Sequence, residues 1–206
     1  MHIINTVIFD FGGVLIDWNP RHLYRRFFHA PAAMEAFLKE IDFPAWNMQQ
    51  DCGRSFSVGV RELSARFPQY AGLIRAYHEH WEESLSGPIE GSLEILRRIK
   101  KAGYAVFGLS NWSMETFPRT LVKYGFFSLL DDYMISGEVG TAKPDPLIFR
   151  MALTRFHKQA RECLFIDDSP ANIASAASLG FSCIHFQSPP QLAAELERLE
   201  ILGSIV

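Results

Sequence analysis

Asp10 follows the apolar, β-branched run Val7-Ile8-Phe9 and precedes the pair Gly12-Gly13. Ser110 closes a second such run, Tyr104 to Leu109, and Asp167-Asp168 closes a third, Cys163 to Ile166. Lys143 lies in a loop after a shorter run, Tyr133 to Ser136. These residue types suit one chemistry. Two or three carboxylates bind a hard cation such as Mg²⁺ through oxygen. A carboxylate can also attack phosphorus and form an acyl-phosphate. A hydroxyl and an ammonium can hold phosphoryl oxygens and stabilise developing charge. Each residue also has a plainer use. Asp10 can be a turn acid before a glycine pair. Asp168 or Ser169 can cap the helix that Pro170 begins. Ser110 can cap the helix after it, and Lys143 can be a solvated lysine. Four such residues in the loops just past strand ends favour the chemical reading over four accidents.

They converge only if the runs are parallel strands of one sheet, because all carboxyl ends then lie on one edge. The chain has the alternation this needs. Amphipathic helices are expected over Ser92–Ala102, Met114–Lys123, Asp145–Phe156, Ser169–Gly180 and Pro190–Leu199. Between them fall the strands already named and a last one, Ser182–Phe186. The pattern predicts an α/β fold, a Rossmann-like parallel sheet with helices on both faces.

From Asp17 to about Ser86 the pattern predicts no strand. Pro20 and Pro31 open helices, the second with Met34, Phe37, Leu38 and Ile41 on its apolar face. Further helices are expected over Glu62–Phe67 and Leu73–Leu85. The stretch holding Trp46, Arg54 and Phe56 reads as a loop. Residues 16–86 are therefore expected to form a helical insertion, between core pieces 1–15 and 87–206. An insertion starting just after a reactive strand end is a candidate lid. In it Arg54 could reach a substrate anion and Trp46 could close a pocket. An arginine paired with Asp51 and a packed tryptophan are the plainer readings.

The bulk numbers exclude other classes. A composition of 48% hydrophobic and 21% charged residues is that of an ordinary folded domain. A formal net charge of -3 gives no basic footprint for nucleic acid. No apolar run approaches the ~20 residues a membrane helix needs, and no leader pattern opens the chain. A cytoplasmic protein without membrane association is expected. Cys52, Cys163 and Cys183 lack metal spacing and read as inert thiols. His78 and His80 diverge on a helix.

In their order and spacing, these pieces resemble the haloacid dehalogenase-like hydrolase superfamily, in the subgroup with a helical cap after its first motif. Phe9-Asp10-Phe11-Gly12-Gly13-Val14 resembles motif one, Leu109-Ser110-Asn111 motif two and Lys143-Pro144 motif three. Phe165-Ile166-Asp167-Asp168, with Asn172, resembles motif four. The resemblance implies Asp10 as nucleophile and Ser110 and Lys143 as phosphate-holding groups. It implies Asp10, Asp168 and the Gly12 carbonyl as Mg²⁺ ligands. It further suggests Asn111 as a substrate contact and Asp167 and Asn172 as supports of the metal site.

One position departs from the pattern. Phosphatases of this superfamily usually carry a second Asp, as general acid and base, where this chain has Gly12. Asp17 and Glu62 are the candidate substitutes. The expected activity is Mg²⁺-dependent hydrolysis of a small phosphorylated metabolite through an aspartyl-phosphate. The alternatives are a 2-haloacid dehalogenase, which attacks carbon without metal, and a catalytically weak binding protein of the same fold. Monomer and homodimer are both open.

Overall fold

The structure, a computed structural model, describes residues 4–203. Its strands are β1 (Thr6–Phe9), β2 (Ile16–Trp18), β3 (Leu85–Pro88), β4 (Ala105–Ser110), β5 (Asp132–Ile135), β6 (Cys163–Asp167) and β7 (Ser182–His185). Five of them form one sheet in the order β5-β4-β1-β6-β7, and every pair in it is parallel. Helices connect the strands, as the α/β alternation requires.

Side-chain alternation divides the core between the two faces. Val7, Val106 and Leu164 are register partners and pack on one face. Ile8, Phe107 and Phe165, one residue on, pack on the other. All four residues of β1 are buried, which is why this strand is apolar on both faces and sits in the middle. From β1 the chain goes to β4 on one side and later to β6 on the other. β1 is thus the switch point of the sheet, where open α/β sheets bind ligands. Gly108 in β4 serves the same region, because a Cβ there would collide with the Phe11 ring. That ring stacks on Phe117 at 5.9 Å and meets Phe127 edge-on at 5.1 Å.

The segment between β1 and β4 differs from expectation in two ways. It contains strands: β2 and β3 pair antiparallel as a short ribbon. Their residues, Ile-Asp-Trp and Leu-Ser-Gly-Pro, are too few to carry a period-2 pattern. It also contains a helix where a loop was expected, Phe43–Asp51. The other helices are Pro20–Tyr24, Pro31–Glu40, Phe56–Arg66 and Ala71–Glu79. Asn19 caps the first, accepting from the Arg21 N–H at 3.0 Å, and proline stands at the start of Pro20–Tyr24, Pro31–Glu40 and Phe43–Asp51. Aromatic rings join them, with Phe43 meeting Tyr77 edge-to-face at 4.9 Å and Tyr24 meeting Phe37 at 5.0 Å.

Candidate active site

β1 delivers Asp10, β4 delivers Ser110 and β6 delivers Asp167 and Asp168 to the carboxyl edge of the sheet. The Asp10 N–H still pairs with the Ile166 carbonyl at 2.9 Å, so its backbone is fixed by the neighbouring strand. Three donors then converge on one oxygen of its carboxylate. Asp10 Oδ1 accepts from the Phe11 N–H at 2.7 Å and the Ser110 hydroxyl at 2.7 Å, and Lys143 Nζ lies 3.0 Å away. Among the described residues no donor reaches Oδ2. Its lone pairs are the ones left for a cation or an electrophile.

Lys143 is fully buried and stands behind Asp10. Its ammonium donates to the Leu109 carbonyl at 2.8 Å and to Asp167 Oδ2 at 2.6 Å, besides facing Asp10. Asn111 holds the backbone of Lys143 at both ends: its Oδ1 accepts from the Lys143 N–H and its Nδ2 donates to the Lys143 carbonyl, each at 2.8 Å. Asp167 is buried and fully engaged, accepting from Lys143, the Ser169 N–H at 2.8 Å and Asn172 Nδ2 at 2.9 Å.

Oxygens of Asp10, Asp167 and Asp168 all lie within 4.8 Å of one another. Three carboxylates against one ammonium leave two negative charges uncompensated, the charge of one divalent cation. The donors are all oxygen, as Mg²⁺ prefers, and Asp10 Oδ2 is unpartnered, so the residues present fit such an ion. Gly12 is in the same lining. Gly13, at φ +75°, has no room for a side chain because a Cβ would run into the Asp168 carboxylate. Gly13 therefore admits the Asp168 carboxylate, just past the end of β6, to the turn after β1.

The electrostatics carry the same strain. Burial pushes Asp10 up to about 7, with Asp167 and Asp168 acting the same way and Lys143 and Ser110 opposing. Burial and the Asp167 charge also raise Asp168. Asp167 goes the other way: burial works to raise it, but Lys143, the Ser169 N–H and Asn172 hold it low. Burial disfavours charge on Lys143 too, yet the two carboxylates keep it above its ordinary value.

A cavity of about 470 Å³ opens on this edge. Asp10, Gly12, Gly13, Ser110, Asn111 and Asp168 line one part of it, and Trp18, Trp81 and residues between them, together with Trp112 and Thr116, line the rest. Several sequence candidates are not brought here. Trp46 is packed in the helical segment, its Nε1 donating to the Gly59 carbonyl at 3.0 Å. Arg54 pairs with Glu62 at 2.9 Å and Gln50 at 2.7 Å, not with Asp51, beside a separate depression. Asp17 pairs with His22 at 3.1 Å. Neither Asp17 nor Glu62 lines the cavity.

The carboxyl that does line it, besides Asp10 and Asp168, is Asp51. Its carboxylate accepts from Asn47 Nδ2 at 2.8 Å, and burial raises it to about 7 against the pull of the Ser113 N–H and Asn47. No sequence signal marked it, because its helix reads as a loop.

The sequence profile of haloacid dehalogenase-like hydrolases matches residues 4–180. This chain belongs to that family. It is 25% identical to a sesquiterpene phosphatase of Aspergillus oryzae, over 94% of this chain and 95% of the relative. It is 43% identical to acyl-CoA dehydrogenase family member 10 of Mus musculus over 94% of this chain, but spans only 19% of that longer protein. Among solved structures, a predicted HAD-like hydrolase of Porphyromonas gingivalis is 26% identical, with a TM-score of 0.74 and coverage of 96% and 98%. A Bacteroides thetaiotaomicron enzyme of the family, 21% identical, has the same fold (TM-score 0.69, coverage 90% and 95%) and was solved with magnesium and inorganic phosphate.

Proposed function

We propose that this hydrolase is a Mg²⁺-dependent phosphatase of small phosphate monoesters. The observation that carries the reading is the triad Asp10, Asp167 and Asp168, with Asp10 Oδ2 left free and Asp168 on the cavity wall. Asp10, Asp168 and the Gly12 carbonyl are the proposed metal ligands. When bound, Mg²⁺ would neutralise the carboxylates and the incoming phosphate dianion.

The chain's own groups supply the remaining steps. Asp10 Oδ2 attacks phosphorus, the P–O ester bond breaks, and an aspartyl-phosphate and an alkoxide form. Ser110 and the Phe11 N–H hold Oδ1 and so aim Oδ2. Lys143 keeps Asp10 and Asp167 from repelling each other. Asp51 supplies the proton for the alkoxide, the task that Gly12 leaves vacant. It is then regenerated by taking a proton from the water that hydrolyses the aspartyl-phosphate, releasing inorganic phosphate. Residues 16–86 act as a cap over the core 1–15 and 87–206, with the β2–β3 ribbon as its stem. The named phosphatase among the relatives supports phosphorus as the electrophile.

The test is hydrolysis of an aryl phosphate by the wild type and Asp10→Asn, with Mg²⁺ and with excess chelator. Activity should require both the metal and Asp10. Dehalogenation is the second reading, favoured by Gly12 and by 28% identity to an (S)-2-haloacid dehalogenase of Burkholderia cepacia over 48% of this chain. Without a cation, however, Asp168 would repel an anionic haloacid. Metal-independent halide release with no phosphate release would overturn the proposal.

A further inference from the structure

Away from Asp10 most of the cavity wall is hydrocarbon. Trp18, Leu38, Phe43, Met48, Trp81 and Trp112 face it. Its volume of about 470 Å³ lies within the ~300–1,000 Å³ typical of small-molecule sites.

Several polar groups of that wall are already engaged by neighbouring residues, while Asn19 Nδ2, Asn47 Oδ1 and the Thr116 hydroxyl hydrogen are left over among the described residues. Asn19 Oδ1 accepts from the Arg21 N–H at 3.0 Å, and the Arg21 guanidinium is held by both oxygens of Glu35 at 2.5 and 2.7 Å. Asn47 donates to Asp51 at 2.8 Å. Asn111 is used at both ends by the Lys143 backbone. Thr116 Oγ1 accepts from Trp112 Nε1 at 3.1 Å. A sugar or amino-acid phosphate would bring several hydroxyls or charges against a wall that is mostly apolar. Each buried polar group left unpaired costs about tenfold or more in affinity. A hydrocarbon tail meets no such penalty and gains from leaving water.

We propose that the substrate is the phosphate monoester of an apolar, long-chain hydrocarbon alcohol, with its phosphate at Asp10 and its tail along Trp18, Phe43, Met48 and Trp112. The assignment rests on the phosphatase reading above. It makes the cavity wall a specificity determinant that acts on kcat/KM through transition-state binding of the leaving group.

The experiment is a chain-length series with Mg²⁺: methyl, butyl, hexyl, octyl and decyl phosphate below their micelle concentrations. Phenyl phosphate, glycerol 3-phosphate and glucose 6-phosphate serve as references. The expected result is kcat/KM rising by up to about fourfold per added methylene until the wall is covered, with both polar references below octyl phosphate. In Met48→Glu the ratio of decyl to methyl phosphate should fall about tenfold or more, because a charge now borders the tail. Met48 is 38% exposed, so this substitution does not disturb the core.

Hydrolysis of phenyl phosphate without any gain along the series, or a higher kcat/KM on glucose 6-phosphate, would overturn the proposal while leaving the phosphatase reading intact. Failure to hydrolyse any ester, phenyl phosphate included, would overturn both.

Discussion

Lys143 donates to the Leu109 carbonyl and Asp167, and its ammonium lies 3.0 Å from Asp10. Removing the cation would leave two buried carboxylates without a counter-charge, and breaking a buried ion pair in this way typically costs about 3–5 kcal/mol. Lys143→Met is therefore expected to lower unfolding free energy by that order in urea titration and to lose hydrolysis altogether. Asp51 poses a different residue-scale question. If it protonates the leaving group, Asp51→Asn should lower kcat on alkyl phosphates about 10²-fold or more. The loss on nitrophenyl phosphate should be much smaller, because nitrophenolate leaves without an acid. Equal losses on both would make Asp51 structural. Its titration also bears on stability. Its carboxyl is held at about 7 when folded against an ordinary 3.8, so its stabilising effect is full below pH 4 and lost as pH rises through 7. That difference is worth ~4 kcal/mol at most. Asp51→Asn removes the dependence, so its stability relative to wild type should rise between pH 4 and pH 7. Tyr77 and Cys52, the titratable neighbours of Asp51, are both raised from ordinary values of 10.0 and 9.0 and stay neutral over that range.

At the scale of elements, the turn after β1 and the turn after β6 are built against each other. Gly13 has φ +75° and no space for a Cβ beside the Asp168 carboxylate. Gly13→Ala should displace Asp168 and cost stability through the positive φ as well. The measurement is the Mg²⁺-induced rise in Tm, which follows from mass action when the folded state binds the ion. The rise should be large in wild type and nearly absent in Gly13→Ala and Asp168→Asn. The helix Phe43–Asp51 explains why Asp51 escaped the sequence. Its buried residues Phe43, Trp46, Asn47 and Gln50 recur at helical spacing, but two of them are polar. Gln50 is satisfied inside, donating to the Trp46 carbonyl at 2.5 Å and accepting from Arg54. A hydrophobic-period argument cannot see such a helix.

Over the whole molecule, the helical segment is tied to the sheet by polar contacts as well as by the shared cavity. Glu115, in the loop after β4, accepts from the Phe56 N–H at 2.9 Å and lies 3.5 Å from His78. It thereby serves an open N–H at the start of the helix Phe56–Arg66, where negative charge is favoured. The Ser136 hydroxyl donates to the Asp51 carbonyl at 2.5 Å from the other side of the crevice and accepts from the Trp112 N–H. Glu115→Ala should cost about 1 kcal/mol, the usual value of a helix cap. Faster amide exchange should be confined to residues 56–66. Exchange that rises equally in β1 and β6 would mean that the helical segment and the sheet open as one unit. Among the described residues no helix is long and apolar enough to cross a membrane.

The sequence alone determined the parallel sheet, because apolar strands alternating with amphipathic helices have few other ways to bury both faces. It also determined that Asp10, Ser110 and Asp167-Asp168 share an edge, since a parallel sheet has all its carboxyl ends on one side. The tertiary structure alone decided the partners. Which oxygen of Asp10 is left free, that Lys143 stands behind Asp10, and that Asp51 rather than Asp17 or Glu62 lines the cavity all depend on contacts between residues distant in the chain. Side-chain pairing across such distances leaves no period in the sequence. The hydrocarbon wall of the cavity is of the same kind, assembled from residues that each look like ordinary core until their common face is seen.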